Sequence, residues 1–332
     1  MKSIRQSELL IMGPKALVIG CSGQDGSYLC KHLLGNGEQV VGTTRRRDKF
    51  TFKNHLLLGI NGQFPIKTIN LLDLSELKDF LTREKPSYIY NFSAQSSVGH
   101  SFSNPIETQQ SISLVTINLL EACRQISYTG NIFFAGSSEV YGNTDVAAKV
   151  GFPFDPQNPY AIAKVESMSL VKLYREIYNL RAATGVLFPH ESPLRNENFI
   201  IHKIISGAVE CSRDNSHKIT IGNINIERDW GWAEEYIEGV HKMNNLEIIK
   251  DQIICTGEST NLKEFINITF NKLNLNWKDH IIIDKSLFRG KDIKKSIGDP
   301  TQMYIDSDWK PTIKIEQIIQ RLLTSKINKS PI

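Results

Sequence analysis

The chain has 332 residues, 40% of them hydrophobic and 22% charged, which suits a soluble globular protein with one large core or two joined ones. Its formal net charge of +4 is small and spread along the chain, which argues against a nucleic-acid partner, and no apolar run reaches membrane-spanning length. The five cysteines (Cys21, Cys30, Cys123, Cys211 and Cys255) lie far apart without metal-ligand spacing, and "LLIM" near the start is too short for a signal peptide. Reduced thiols, no metal site and a cytoplasmic location are expected.

After an N-terminal extension over 1–14, "KALVIG" (15–20) reads as a buried strand. "SYLCKHLLGNG" has apolar positions at helical spacing and stops at Gly35 and Gly37. "QVVGTTRR" is a second strand, completing a βαβ unit. "IKTINL" and "SYIYNFSA" follow as strands around the helix "LSELKDFLTREK". "IETQQSISLVTINLLEACRQ" predicts one long helix, "NIFFAGSS" a strand, "NPYAIAKVESMSLVKLYREIYN" another long helix and "RAATGVLF" a strand. This alternation predicts an α/β fold, a doubly wound parallel sheet of the Rossmann-like kind, with ligands beyond the carboxyl ends of its strands.

The rhythm breaks after about residue 188. "PHESPLRNENF" is a polar loop, "IIHKIISGAVECS" a helix, "KITIGN" and "HIIIDKS" short strands, and "IEQIIQRLLTS" a closing helix. "QIICTG" (252–257) is placed to return to the main sheet. The expected organisation is a dinucleotide-binding domain over 15–187, with 225–257 returning to it, and a smaller C-terminal substrate lobe from 188–224 and 258–332.

Gly20, Gly23 and Gly26 of "VIGCSGQDGSYL" fall between the first strand and the first helix. Glycine there lets backbone approach a pyrophosphate, and the helix N-terminus supplies N–H donors. At the end of the second strand, an acidic residue binding ribose hydroxyls would favour NAD. This chain has "TTRRRDK": Arg45 and Arg46 suit a ribose phosphate, hence NADP, and Asp48 comes late.

Tyr160 and Lys164 of "NPYAIAK" are four apart and so share a helix face. An ammonium beside the phenol would lower its pKa from about 10 and make it a base near neutrality. "FFAGSSEVYG" adds a strand end bearing hydroxyls and a carboxylate, where Ser137 would hydrogen-bond the reacting oxygen and Glu139 would be a second base.

At this point the chain resembles the extended short-chain dehydrogenases and, within them, the GDP-mannose 4,6-dehydratase family. "GQDGSYL", "YNFSAQSSVGHSF", "SSEVYG", "LFPHESP", "IGNINIERDWGWAEEYI" and "IGDPTQMYIDSDWKP" each resemble a family motif, in the family's order, across about 15–323. The resemblance implies a catalytic set of Ser137, Glu139, Tyr160 and Lys164. Tyr160 would take the sugar O4 proton and Glu139 the C5 proton, with water leaving from C6 in an internal NADP redox cycle. It implies cofactor contacts at Gly20, Gly23, Gln24, Asp25, Gly26, Arg45, Arg46, Leu71, Ser93, Gln95, Tyr160, Lys164 and His190. It implies GDP-sugar contacts at Ser96, Glu191, Lys203, Arg228 and Arg289, and a homo-oligomer, dimer or tetramer.

The substrate side departs from the family pattern. Pro189 replaces an asparagine, Leu194 and Asn196 change the "R-R-G-E" stretch, His202 replaces an arginine, Gly290 and Asp292 alter "R-P-x-E", and Ser97 replaces a histidine. His190 reads as a hydrogen-bonded loop histidine outside the catalytic set, and Trp230 and Trp232 as packing residues. A related nucleotide-sugar 4-keto reductase, epimerase or decarboxylase is the alternative that these changes keep open. A non-catalytic dinucleotide sensor is a further one, disfavoured because a sensor has no use for Ser137, Tyr160 and Lys164 together.

Overall fold

The computed structural model describes residues 13–45, 52–288 and 291–328. Strand β1 (Lys15–Ile19) shows why the sheet is buried on both faces. Ala16 and Val18 pack into one core cluster and Leu17 and Ile19 into another, the period-two alternation of a strand covered on each side. The same holds in β5 (Asn131–Ser137), where Phe133 points one way and Ile132 and Phe134 the other.

The central sheet also contains β2 (Gln39–Thr44), β3 (Ile66–Thr68), β4 (Tyr88–Asn91) and β6 (Ala182–Leu187). Beyond β6 the chain forms β7 (His190–Glu191), β8 (Ile219–Ile221), β9 (Glu227–Arg228), β10 (Gly231–Trp232) and β11 (Gln252–Ile254). The seven-stranded order is β11-β6-β5-β4-β1-β2-β3, with every pairing parallel. The doubly wound sheet is therefore present, and "QIICTG" does return to its edge. Chain direction across the sheet reverses between β1 and β4, which opens a crevice beyond their carboxyl ends.

One face carries α1 (Gln24–Gly35) through Tyr28, Leu29 and Leu33. The other carries α3 (Leu74–Glu84), α6 (Val115–Gln125) and α7 (Pro159–Tyr178) through Phe80, Leu119 and Val171. The short helices α2 (Lys53–Leu57), α4 (Val98–Ser103) and α5 (Pro105–Gln109) fall between these in the chain. The long helix expected over 106–125 is interrupted: a π turn over Gln110–Leu114 widens it just before α6. That turn places Ile112 against the ring of Tyr160. The strand expected over 66–71 ends at Thr68, because β3 is an edge strand pairing only with Gly42, Thr43 and Thr44.

The described second half of the chain adds α8 (Ile200–Arg213), α9 (Ala233–Asn244), α10 (Leu262–Asn271), α11 (Thr301–Ser307) and α12 (Ile315–Asn328). Helix α9 joins α1 on the sheet through Tyr236, Ile237 and Val240. A separate apolar cluster unites Ile204 and Val209 of α8, Phe265 and Phe270 of α10, and Ile318 and Leu322 of α12. Beside it, β8 pairs with the strand Ile281–Ile283, so the two short strands expected near 218–223 and 280–286 find each other. No described helix is long and apolar enough to cross a membrane.

Candidate active site

The glycine turn sits at the reversal point of the sheet. Gly20 leaves β1 with φ +82°, and a side chain there would stand 2.9 Å from the backbone of Phe92 at the end of β4. Gly26 lies in the first turn of α1, where a Cβ would come 2.3 Å from the Gly20 carbonyl oxygen and 2.9 Å from the Cys21 Cα. The helix can therefore begin directly above β1 only if this residue is glycine. Gly23 is the N-cap and offers no side chain to the first helical amides. Gly20, Gly23, Gln24, Asp25 and Gly26 line one end of a cavity of about 1840 Å³. An uncapped helix start, open to a cavity and closely approached by backbone, fits a dinucleotide pyrophosphate.

Gln24 and Asp25 do something the motif alone did not reveal. Asp25 Oδ1 accepts hydrogen bonds from Gln24 Nε2 and His190 Nε2, each at 2.9 Å. Gln24 Oε1 accepts from Ser192 at 2.8 Å. The two residues thus tie the glycine turn to the loop after β6. Burial pushes the Asp25 carboxyl up, but His190, Gln24 and Arg195 outweigh it and hold the group at about 2. His190 is buried, its other ring nitrogen donating to the Phe188 carbonyl at 2.7 Å, so it is the hydrogen-bonded loop histidine expected.

The catalytic candidates converge on the cavity's middle. Ser137, Glu139, Tyr160 and Lys164 all line it. Ser137 ends β5, its Oγ accepts from the Glu139 amide at 3.3 Å, and its hydroxyl is near enough to Tyr160 to favour the phenolate. Asn158 caps α7, so Tyr160 falls in the helix's first turn, with Lys164 one turn on.

One expectation needs correction. Lys164 does not lower the pKa of Tyr160 in this structure. Its ammonium donates to the Ala135 carbonyl at 2.8 Å and lies 5.6 Å from the centre of the phenol ring. Burial pushes Tyr160 up to about 12, against the opposing pull of the nearby Ser137 hydroxyl. Burial likewise brings Lys164 down to about 8, which still leaves it mostly charged at neutral pH.

The other sequence candidates are distributed as follows. Gln95, Ser96, Glu191, Lys203 and Arg228 line the cavity. Ser93 lies beside Lys164 at a small pocket behind it. Leu71 is packed in the core beneath α3 and α6, its carbonyl accepting from Asn118, and does not line the large cavity. Arg45 is exposed just past β2. Arg46, Asp48, Arg289 and Gly290 lie outside the described residues.

Two site residues escaped the sequence reading. Arg195, the arginine retained within "LRNE", lines the cavity, donates to the His190 carbonyl at 3.3 Å and stacks on Phe199 at 4.0 Å. Its Nε faces Glu191 Oε2 at 3.5 Å, and neither atom has a hydrogen-bond partner among the described residues. Such a pair, buried and incompletely bonded at a cavity wall, suits a polar ligand. Asn158 is the other, and only its contacts reveal it.

The family departures have local explanations. Leu194 is buried, and His202 donates to the Ser192 carbonyl at 2.9 Å. Burial pushes His202 down to about 4, so it adds no charge where an arginine would. Trp230 packs on Phe265, and Trp232 is buried under Arg321, the packing roles expected of them.

Comparison with known proteins identifies the family. The family model described as GDP-mannose 4,6 dehydratase matches residues 17–322. GDP-mannose 4,6 dehydratase 1 of Arabidopsis thaliana is 36% identical over 93% of this chain and 88% of its own length. Among solved structures, UDP-glucuronic acid 4-epimerase from Bacillus cereus, in complex with UDP-glucuronic acid and NAD, superposes with a TM-score of 0.84 at 21% identity, covering 95% of this chain and 99% of its own. RMD from Pseudomonas aeruginosa, complexed with NADPH, does so with a TM-score of 0.79 at 20% identity and the same coverage. At those identities the structural matches speak for the fold, whereas the family match over nearly the whole chain speaks for descent. The chain belongs to the GDP-mannose 4,6-dehydratase family and is a nucleotide-sugar 4,6-dehydratase.

Proposed function

We propose that the substrate is GDP-mannose or a related GDP-hexose or GDP-heptose, and that the product is the GDP-4-keto-6-deoxy sugar. The observation that carries this reading is a second base beside an oxidising pair. Ser137 and Tyr160 line one cavity, and Glu139, two residues from Ser137, lines it with them. Oxidation at C4 needs only the first two; a carboxylate is needed when a C5 proton must also be removed.

The nicotinamide cofactor, when bound, supplies a hydride acceptor, the later hydride donor and a positive charge that favours the phenolate. Ser137 hydrogen-bonds O4 and Tyr160 takes its proton as C4 becomes a ketone. Lys164, held by the Ala135 carbonyl and lining the same cavity, would hydrogen-bond the nicotinamide ribose. The ketone acidifies C5–H. Glu139 removes that proton, the C5–H electron pair becomes the C5–C6 double bond, and the C6–O bond breaks. Glu139 then returns its proton to the leaving hydroxyl, which departs as water. With hydride returned to C6, a solvent proton at C5, balanced by release of the O4 proton from Tyr160, completes the product with no net redox change.

NADP is the form of cofactor we propose. Thr44 ends β2 and Arg45 follows, with no carboxylate at the strand end to bind a free ribose hydroxyl. Lys203, Arg228 and Arg195 supply cations for the substrate diphosphate along the same cavity. The separate cluster of α8, α10 and α12 supports a substrate lobe over 188–224 and 258–332. Ile162, Leu173 and Ile177 form an exposed apolar row on α7, with Ile106 and Leu114 exposed on the helical segments packed beside it, which supports a homo-oligomer.

The test is incubation of the purified protein with NADP⁺ and a panel of GDP-sugars and other nucleotide sugars, followed by mass. Loss of one water without net NADPH is expected with a GDP-sugar. Stoichiometric NADPH, or loss of carbon dioxide, would overturn the reading.

A further inference from the structure

We infer that Asn158 is a positioning residue that holds the Glu139 carboxylate in place for proton removal at C5. The inference rests on the reading of Glu139 as that base. Asn158 is buried and precedes Pro159, the first residue of α7. Its Oδ1 accepts from the Ala161 amide at 2.8 Å, and its Nδ2 donates to Glu139 Oε2 at 2.9 Å.

The first bond decides the chemistry of the second. A helix N-cap must present an oxygen to the amides of the first turn. With Oδ1 committed there, the other end of the same planar amide is necessarily an NH₂, and an NH₂ facing a carboxylate donates to it. The orientation of the side chain is therefore fixed by the helix, not by Glu139.

The consequence is a rigid link between two catalytic groups. Tyr160 stands two residues beyond Asn158, in the turn that Asn158 caps. Glu139 lies on the short segment after β5, half-buried, and has several rotatable bonds of its own. Holding Oε2 leaves Oε1 as the oxygen that takes the C5 proton. Base and phenol are thereby kept at one separation, which matters because both must act on adjacent carbons of one sugar ring. Misplacement of a reacting group by about 1 Å can cost on the order of a hundredfold in rate.

Asn158→Ser separates the two bonds. Serine caps a helix as well as asparagine does. Its single short hydroxyl cannot also reach Glu139. Asn158→Asp keeps the cap and sets a carboxylate against a carboxylate. Each full-length variant, with Glu139→Gln in parallel, is mixed rapidly with NADP⁺ and GDP-mannose. Near-ultraviolet absorbance reports the reduced nicotinamide, mass reports water loss, and thermal unfolding reports the fold.

For Asn158→Ser the expected result is an unchanged thermal midpoint and wild-type formation of reduced cofactor. That reduced form then persists, because dehydration falls roughly ten- to a hundredfold. Asn158→Asp should show the larger loss. Wild-type dehydration in Asn158→Ser overturns the inference, as does equal slowing of oxidation and dehydration, since a cap alone would do that. If Glu139→Gln blocks dehydration and Asn158→Ser does not, only the role of Asn158 fails. If Glu139→Gln dehydrates normally, the reading of Glu139 fails and takes this inference with it.

Discussion

Replacing Asp25 by Asn tests whether the acidic residue of the glycine turn is there for the cofactor or for the fold. In the wild type, Asp25 accepts from His190 and Gln24 at 2.9 Å each, joining α1 to β7 across the floor of the cavity. Those partners hold its carboxyl at about 2, against an ordinary value of 3.8. That difference is worth about 2 kcal/mol of stability. The sign follows from which state takes up the proton first. The unfolded chain binds it near 3.8 and the folded chain only near 2, so the contribution is whole above about pH 4 and lost as pH falls through about 2. Asn is neutral and cannot draw on it. Urea unfolding at neutral pH should show Asp25→Asn about 2 kcal/mol less stable than wild type, with the gap closing toward pH 2. In a cycle with His190→Gln, most of the loss should be absent when His190 has already been replaced. A neutral-pH loss under about 0.5 kcal/mol would show that solvent satisfies Asp25 as well as His190 does, and would refute the reasoning.

Three other outcomes are expected. Gly26→Ala places a methyl 2.3 Å from the Gly20 carbonyl, so α1 must move off β1; a stability loss of about 1–3 kcal/mol and loss of NADP binding by equilibrium dialysis are expected, and unchanged binding would contradict the close approach. All five cysteines are buried, and burial pushes Cys21 up to about 12; a thiol reagent should label none in the native protein and all five in denaturant, and rapid native labelling would contradict the packing. Arg46→Ala should weaken NADP binding more than NAD binding; equal weakening would mean that the arginine does not read the extra phosphate.

Much of this protein was legible in its sequence because the relevant signals are local. Apolar runs such as "KALVI" and "NIFFAG" had to be strands covered on both faces, and the glycine spacing had to be a turn that backbone and phosphate approach closely. The spacing of Tyr160 and Lys164 placed both on one face of a helix. The π turn was not legible, because its sequence has ordinary helical spacing and only the packing of Ile112 on Tyr160 distinguishes it.

What the sequence determined by itself was the order of elements, the glycine turn and the set of candidate catalytic residue types, since each rests on neighbours in the chain. Only the tertiary structure decided how those residues are held. The Asp25–His190 contact spans 165 positions, and the Asn158–Glu139 contact spans 19. It also overturned the expected effect on Tyr160, because burial is a property of the whole fold: the Lys164 ammonium donates to a strand carbonyl, and desolvation raises the phenol.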